Sequence, residues 1–312
     1  MPVFNDWKAL SLLLPDLDQA VAKSGLKARI ILVDDGSTVT APRVLDRNHF
    51  ESIVSVDLVA LRRNLGHQRA IAVGLSYIEA NLPQSSVVVM DSDGEDDPKD
   101  VPRLVHECAA NRDEKIIFAA RTRRSEGWLF TFCYHLYRLI HFLLTGVRVR
   151  VGNFSIIPPN PLKRLVAVSE LWNHYAAAVY KAKLPLALIP TERSTRLDGP
   201  PHMDMVSLVV HGLSAMAVFG DRIGVRLLIV VGLGMALSVI GLAAVFAIRL
   251  ATDLAIPGWA TYATGLLLVM FIQMLLVVIV FVFVILAARN TVSAIPSRDY
   301  VHLTGGSHRI YG

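Results

Sequence analysis

The chain has 312 residues, a formal net charge of +5 and a hydrophobic fraction of 53%, with a mean hydropathy of +0.47. That is more apolar surface than the core of a chain this long needs, so part of it is expected to face lipid. The Lys and Arg residues are scattered and never interleave with aromatics as a basic block, which argues against a nucleic-acid partner and assigns the charge to phosphate and membrane-surface affinity. Two cysteines, Cys108 and Cys133, are too few for a disulfide framework and lack metal-ligand spacing.

The first residues read Met1-Pro2-Val3-Phe4-Asn5-Asp6, the end of a strand rather than its start, so either a central strand is shortened or the native start lies upstream. No charged leader with an apolar stretch precedes them, and insertion is expected through the C-terminal segments. Arg29 to Val33, Val54 to Leu61, Val87 to Met90 and Ile116 to Ala119 are β-branched runs separated by helical patterns. Such alternation predicts an α/β fold with a mostly parallel sheet, whose ligands gather at the carboxyl ends of strands.

The motifs fall at those ends. Val33-Asp34-Asp35-Gly36-Ser37 follows the Arg29 run and presents two carboxylates at a tight turn, able to accept from a base or a ribose. Asp91-Ser92-Asp93-Gly94-Glu95-Asp96-Asp97-Pro98 follows the Val87 run and crowds five carboxylates together, which repel one another without a cation. Asp91 and Asp93 project alike from an extended segment, so they are expected to hold one Mg2+ or Mn2+ whose open positions take a diphosphate. A calcium loop is excluded, because Pro102 stands where that pattern needs its closing Glu.

Beyond these, Asp204 to Phe219 has helical apolar spacing, as an interfacial amphipathic helix does. Leu227 to Ile248 is uncharged and, at 1.5 Å per residue, spans about 33 Å, enough to cross a hydrocarbon core. A second apolar run extends from Trp259 to Ala288. Arg222 and Arg226 before the pair and Arg289, Arg298 and Arg309 after it predict cytoplasmic flanks. The expected division is therefore 1–203 catalytic, 204–223 juxtamembrane helix, 224–290 transmembrane hairpin and 291–312 cytosolic tail. Gly232, Gly234 and Gly241 allow close helix approach, and leave homo-oligomerisation open.

Taken together, Pro2-Val3-Phe4-Asn5-Asp6, Val33-Asp34-Asp35-Gly36-Ser37, Arg63-Asn64-Leu65-Gly66-His67 and Asp91-Ser92-Asp93-Gly94 resemble, in order and spacing, family 2 glycosyltransferases of the GT-A fold. The likeness is greatest to the dolichyl-phosphate mannose synthase and bacterial polyprenyl-phosphate glycosyltransferase branch with two C-terminal helices. The resemblance implies a Rossmann-like sheet with flanking helices, a nucleotide-sugar donor (UDP-linked by preference) and a polyprenyl phosphate or other lipid-linked acceptor at the cytosolic membrane face.

It further implies that Pro2, Phe4, Asp6, Asp34 and Asp35 line the donor pocket. Arg63, Gly66 and His67 would lie over the nucleotide, and Asp91, Asp93 and Glu95 would serve the ribose and the metal. Arg121, Arg123, Arg124, Arg193 and Arg196 fit phosphate-contacting positions, for which forked guanidinium groups are suited. Two departures concern the acceptor: Gly152-Asn153-Phe154 stands for Gly-Asp-Phe, and Gly199-Pro200-Pro201-His202 for Gly-x-Ser-Lys. Asn153 cannot act as a base, which is harmless if the acceptor is already a phosphate anion. If the acceptor is instead a hydroxyl of a glycolipid or lipopolysaccharide intermediate, Glu170 is the carboxylate expected to deprotonate it, with His174 the weaker candidate. A catalytically silent membrane scaffold is the reading from another class, and the retained acidic and nucleotide motifs argue against it.

Overall fold

A computed structural model describes residues 1–39, 49–121, 128–147, 151–199, 205–252, 258–289 and 294–312. The chain divides into two compact units. One comprises residues 1–135, 147–218 and 294–312, and the other residues 136–146 and 219–293.

The first unit is α/β. Its strands are β1 (Pro2–Val3), β2 (Ala28–Asp34), β3 (Ile53–Leu61), β4 (Val87–Val89), β5 (Ile116–Arg121), β6 (Ser155–Ile157), β7 (Leu186–Thr191) and β8 (Thr304–Tyr311). They form two four-stranded sheets ordered β1-β2-β3-β8 and β4-β6-β5-β7. The four β-branched runs are therefore strands, and β1, β2 and β3 run parallel. Antiparallel β6 and β8 make the whole mixed.

The helices of this unit are α1 (Trp7–Lys23), α2 (His67–Asn81), α3 (Asp100–Ala110), α5 (Pro159–Leu165), α6 (Tyr175–Lys181), α7 (Met205–Ala217) and α10 (Pro296–Leu303), while α4 (Trp128–Thr145) begins here and ends in the second unit. In α1 the side chains of Leu10, Leu13, Leu14, Leu17 and Val21 recur at helical spacing and are buried against Leu32, Val56 and Ile117. Asp18 on the same helix accepts from the amides of Glu51, Ser52 and Ile53, each at 2.8 Å, and so fixes the entry to β3. Cys108 is buried on α3, where burial and then Asp113 push its thiol up to about 12, an inert sulfur.

The segment expected to be a tail after residue 290 is folded. β8 pairs antiparallel with β3, Val56 opposite Tyr311 and Leu61 opposite Thr304. Asp57 of β3 is clasped between Arg29 (2.6 Å) and Arg309 (3.2 Å), and the Tyr311 ring meets Phe50 edge-on at 4.8 Å. Thr-Gly-Gly-Ser-His-Arg-Ile-Tyr lacks the apolar alternation of a half-buried strand, which is why it reads as a tail.

In the second unit α8 (Gly220–Ala251) and α9 (Trp259–Arg289) are long and apolar enough to cross a membrane. The α8 helix starts seven residues before the apolar run, taking in Arg222 and Arg226. The two helices pack antiparallel: a Cβ on Gly224 would meet Ile285, on Gly234 Met274 and on Gly241 Leu267. Gly234 and Gly241 thus serve close packing inside the chain, and Gly232 faces open space. Arg226 donates to the carbonyls of Phe142 and Leu143 at the end of α4, where a cation complements the helix dipole.

Candidate functional site

The turns that follow β1, β2 and β4 are tied together by hydrogen bonds from polar side chains. After β1, Asn5 takes φ +58° and its Oδ1 accepts from the amides of Thr38 and Val39, while its own amide donates to Ser37 Oγ. After β2, Asp34 accepts from the Ser37 amide at 2.9 Å, closing the turn. Asp35 is buried, and its carboxylate takes the amides of Leu65 at 2.6 Å and Gly66 at 2.9 Å. It thereby positions the Arg63–His67 loop and the first turn of α2. Gly36 at φ +72° is required here, since a Cβ would lie 2.7 Å from the Asn64 amide nitrogen. Burial raises the Asp35 pKa, opposed by those two amides and by His67.

That loop delivers His67 to the acidic turn. Its Nε2 lies 3.3 Å from Asp91 Oδ1 and 2.9 Å from the Asn153 amide nitrogen. The nitrogen cannot serve both at once: protonated, it donates to Asp91, and neutral, it accepts from Asn153. Burial works against the charged form of His67, but Asp91, then Asp93 and Asp35, outweigh it and hold its pKa above the usual imidazole range. The Asp35 and Asp91 motifs, 56 positions apart in the sequence, therefore share one site.

The acidic turn is crossed by the segment that follows β7. Ser194 donates to the Glu95 carbonyl at 3.0 Å and Leu197 to that of Asp93 at 2.9 Å. Arg193 pairs with Glu95, while Arg196 bonds Asp93 at 2.9 Å through Nη1 and Asp6 through Nη2, with Nε on the Asp198 carbonyl at 2.8 Å. Gly94, at φ +87°, lies under Leu197 with no room for a Cβ. Arg193 and Arg196, two of the arginines expected at phosphate, are thus counter-ions of carboxylates expected at metal. Burial, then the neighbouring Asp91 and Glu95 charges, raise the Asp93 pKa, against the Glu95 amide and Arg196.

Among the described residues no group of three or more His, Cys, Asp or Glu side chains is disposed to hold a metal ion. The hard oxygens of Asp91 and Asp93 still suit Mg2+ or Mn2+ bound in the manner that needs only one or two protein carboxylates, with substrate phosphate supplying further ligands.

Two histidines escaped the motif reading as a pair. His174 caps α6, its Nδ1 accepting from the Ala177 amide, so its Nε2 carries the proton and faces His211 Nε2 of α7 at 3.2 Å. His211 must accept there. Burial and then the His67 charge lower its pKa, consistent with a neutral ring. A polar residue just ahead of Tyr-Ala-Ala-Ala was a helix-cap signal for His174; His211 left none. Gln68, buried on α2, joins the group by donating to Asn153 and accepting from the Tyr175 amide.

Other expected residues lie elsewhere or beyond the description. Pro2 is buried within β1 and Phe4 is 39% exposed. The Arg63 guanidinium reaches the carbonyl of Asn64. Glu170, in a 3₁₀ turn at Ser169–Trp172, is bonded by Lys181 at 2.8 Å and by Ser169. Burial raises its pKa, but Lys181 and the other donors prevail and hold it below the usual range. Arg121 ends β5 and Cys133 lies on α4; their side chains, and residues Arg123, Arg124, Pro200, Pro201 and His202, lie outside the description.

The α/β fold, with acidic, histidine and arginine side chains gathered at the strand ends, is matched in sequence by a known family of transferases. The profile described as "Glycosyl transferase family 2" matches residues 1–165, and the chain belongs to that family. Relatives include the undecaprenyl-phosphate 4-deoxy-4-formamido-L-arabinose transferases of Edwardsiella ictaluri (strain 93-146), 32% identical over 128 residues, and Klebsiella pneumoniae (strain 342), 31% identical over 127 residues. Each alignment takes in 41% of this chain, and 38% and 37% of the respective relative.

Proposed function

We propose that the chain transfers a hexose, with inversion, from a nucleotide diphosphate sugar to polyprenyl phosphate at the cytosolic face of a membrane. The observation that carries this is the meeting of the Asp35-anchored loop, the Asp91–Glu95 turn and the Arg193–Arg196 segment at the ends of β1, β2 and β4. The relatives, by name, use undecaprenyl phosphate, which supports a lipid phosphate acceptor.

In this reading Asp6, Asp34, Asp35, Arg63 and His67 form the donor side, with uridine the favoured base. Asp91 and Asp93 would hold Mg2+ or Mn2+, which supplies charge neutralisation for the departing diphosphate. Arg193 and Arg196 exchange Glu95 and Asp93 for phosphate oxygens when substrates arrive, a swap between like hydrogen bonds. An acceptor phosphate attacks the anomeric carbon without losing a proton first. The alternative hydroxyl acceptor needs a base, and Glu170, held ionised by Lys181, is a weak one.

Membranes containing the protein, given polyprenyl phosphate and a panel of radiolabelled nucleotide sugars, should form an acid-labile lipid-linked sugar. No such product with any donor would overturn the proposal. Asp93→Asn should abolish turnover while circular dichroism and chromatographic behaviour stay those of the parent.

A further inference from the structure

Helix α7 has two unlike sides. Val206, Val209, Val210 and Leu213 are all exposed and, at helical spacing, fall within about 100° of one another around its axis. His211 and Ala215 stand on the other side, where Ala215 is buried and His211 half-buried. An exposed apolar stripe of this kind suits a helix lying on a lipid surface, and only two residues separate α7 from α8, which is long and apolar enough to cross a membrane. His211 therefore stands on the protein side of a helix whose opposite side suits lipid.

Hydrogen bonds tie that position to the acidic turn. His174, which His211 meets, directly precedes Tyr175, whose amide donates to Gln68; Gln68 donates to Asn153, and Asn153 lies 2.9 Å from His67. Burial lowers the His211 pKa, the His67 charge lowers it further and the Asp91 charge pulls the other way, so both groups act on this ring.

The bond with His174 also settles which nitrogen of His211 is left for a ligand. His174 uses Nδ1 to accept from the Ala177 amide and gives its Nε2 proton to His211 Nε2. A neutral His211 then carries its own proton on Nδ1. Among the described residues that N–H makes no hydrogen bond, so it has capacity for one more acceptor.

We propose that His211 is an acceptor-binding residue: its Nδ1–H, held in place by His174, donates to a phosphate oxygen of a lipid monophosphate whose chain runs into the bilayer beside α7. This rests on the reading of the acceptor as a phosphate, and adds a neutral donor to the cations Arg193 and Arg196. A neutral donor orients an anion while drawing less on its nucleophilic electrons than an ion pair does.

The test uses the full chain in detergent, with farnesyl phosphate and farnesol as probes of equal chain length titrated by calorimetry. His211→Phe, which keeps a ring beside His174, should weaken farnesyl phosphate about tenfold or more and leave farnesol within about twofold of the parent. His211→Asn, which puts an amide N–H near the Nδ1 position, should restore most of the affinity. In the parent labelled with 15N-histidine, the Nδ1–H resonance missing from the His211→Phe spectrum should move with farnesyl phosphate and stay in place with farnesol. Equal loss of both probes in His211→Phe assigns the effect to packing and overturns the proposal, as does a resonance that ignores the phosphate. UDP moving that resonance as farnesyl phosphate does would assign the N–H to the donor and overturn it too. A parent that binds phosphate and alcohol alike defeats the phosphate-acceptor reading itself; a parent that prefers the phosphate, matched by His211→Phe, defeats the role of His211 alone.

Discussion

Arg196→Met separates the structural part of the site from its chemistry. The guanidinium is 13% exposed and its two carboxylate partners, Asp6 and Asp93, are 16% and 17% exposed, so water screens these pairs little. Removing it leaves two carboxylates near each other without their cation and frees the Asp198 carbonyl. Truncating one partner of a largely buried ion pair costs about 3 kcal/mol, which for a unit of this size lowers the unfolding midpoint by roughly 6 to 12 °C. Calorimetry or scanning fluorimetry in detergent measures it. Because Arg196 and a divalent cation would compete for Asp93, millimolar Mn2+ should recover part of the loss in the variant and do less for the parent. A midpoint within a degree or two of the parent refutes the bridging role, and equal stabilisation of both proteins by Mn2+ refutes the competition.

Asp18→Ala should destabilise the chain by about 4 kcal/mol, because three charge-assisted amide bonds are lost at a residue only 9% exposed. Burial raises the Asp18 pKa, but those amides dominate and depress it. Its contribution is therefore full above the ordinary value of 3.8 and disappears as pH falls through the lower folded value, so parent and variant should converge in acid. His211 has the opposite charge chemistry. With its folded pKa below the ordinary 6.5, it adds stability that is present above that value and lost as pH falls below it. His211→Gln should flatten the fall in unfolding midpoint between pH 7.5 and 5.5, and an unchanged slope would remove His211 from that role.

Strands β2 to β5 were legible because uninterrupted β-branched residues have few other stable uses in a chain that alternates with helices. The later strands were not. β6 is three residues long, β7 contains Pro190, and β8 is a glycine-rich, mostly exposed edge whose partner, β3, lies some 250 residues earlier. In the site, the acidic turn announced itself by density, since five carboxylates in seven positions require an explanation from charge alone. The arginines could be recognised as phosphate-seeking groups, but their present partners could not: Arg193 and Glu95 are 98 positions apart, and Arg196 and Asp93 are 103 apart. Only folding brings them together. His174 and His211 illustrate the same limit, each an isolated histidine until a helix cap and a neighbouring helix are placed side by side.

The pairing of β8 with β3 also bears on how the molecule is made. Residues 1–135, 147–218 and 294–312 belong to one fold, with the long apolar helices α8 and α9 inserted in the chain before its last segment. The ribosome must therefore release both greasy segments before the closing edge of the first sheet exists at all. If the pair crosses a bilayer, its two ends must emerge on the same side, because one folded body owns them both. Completion of the first unit thus waits on synthesis of both helices, and a chain interrupted anywhere in the hairpin would leave Asp57 without Arg309 and β3 with a bare edge.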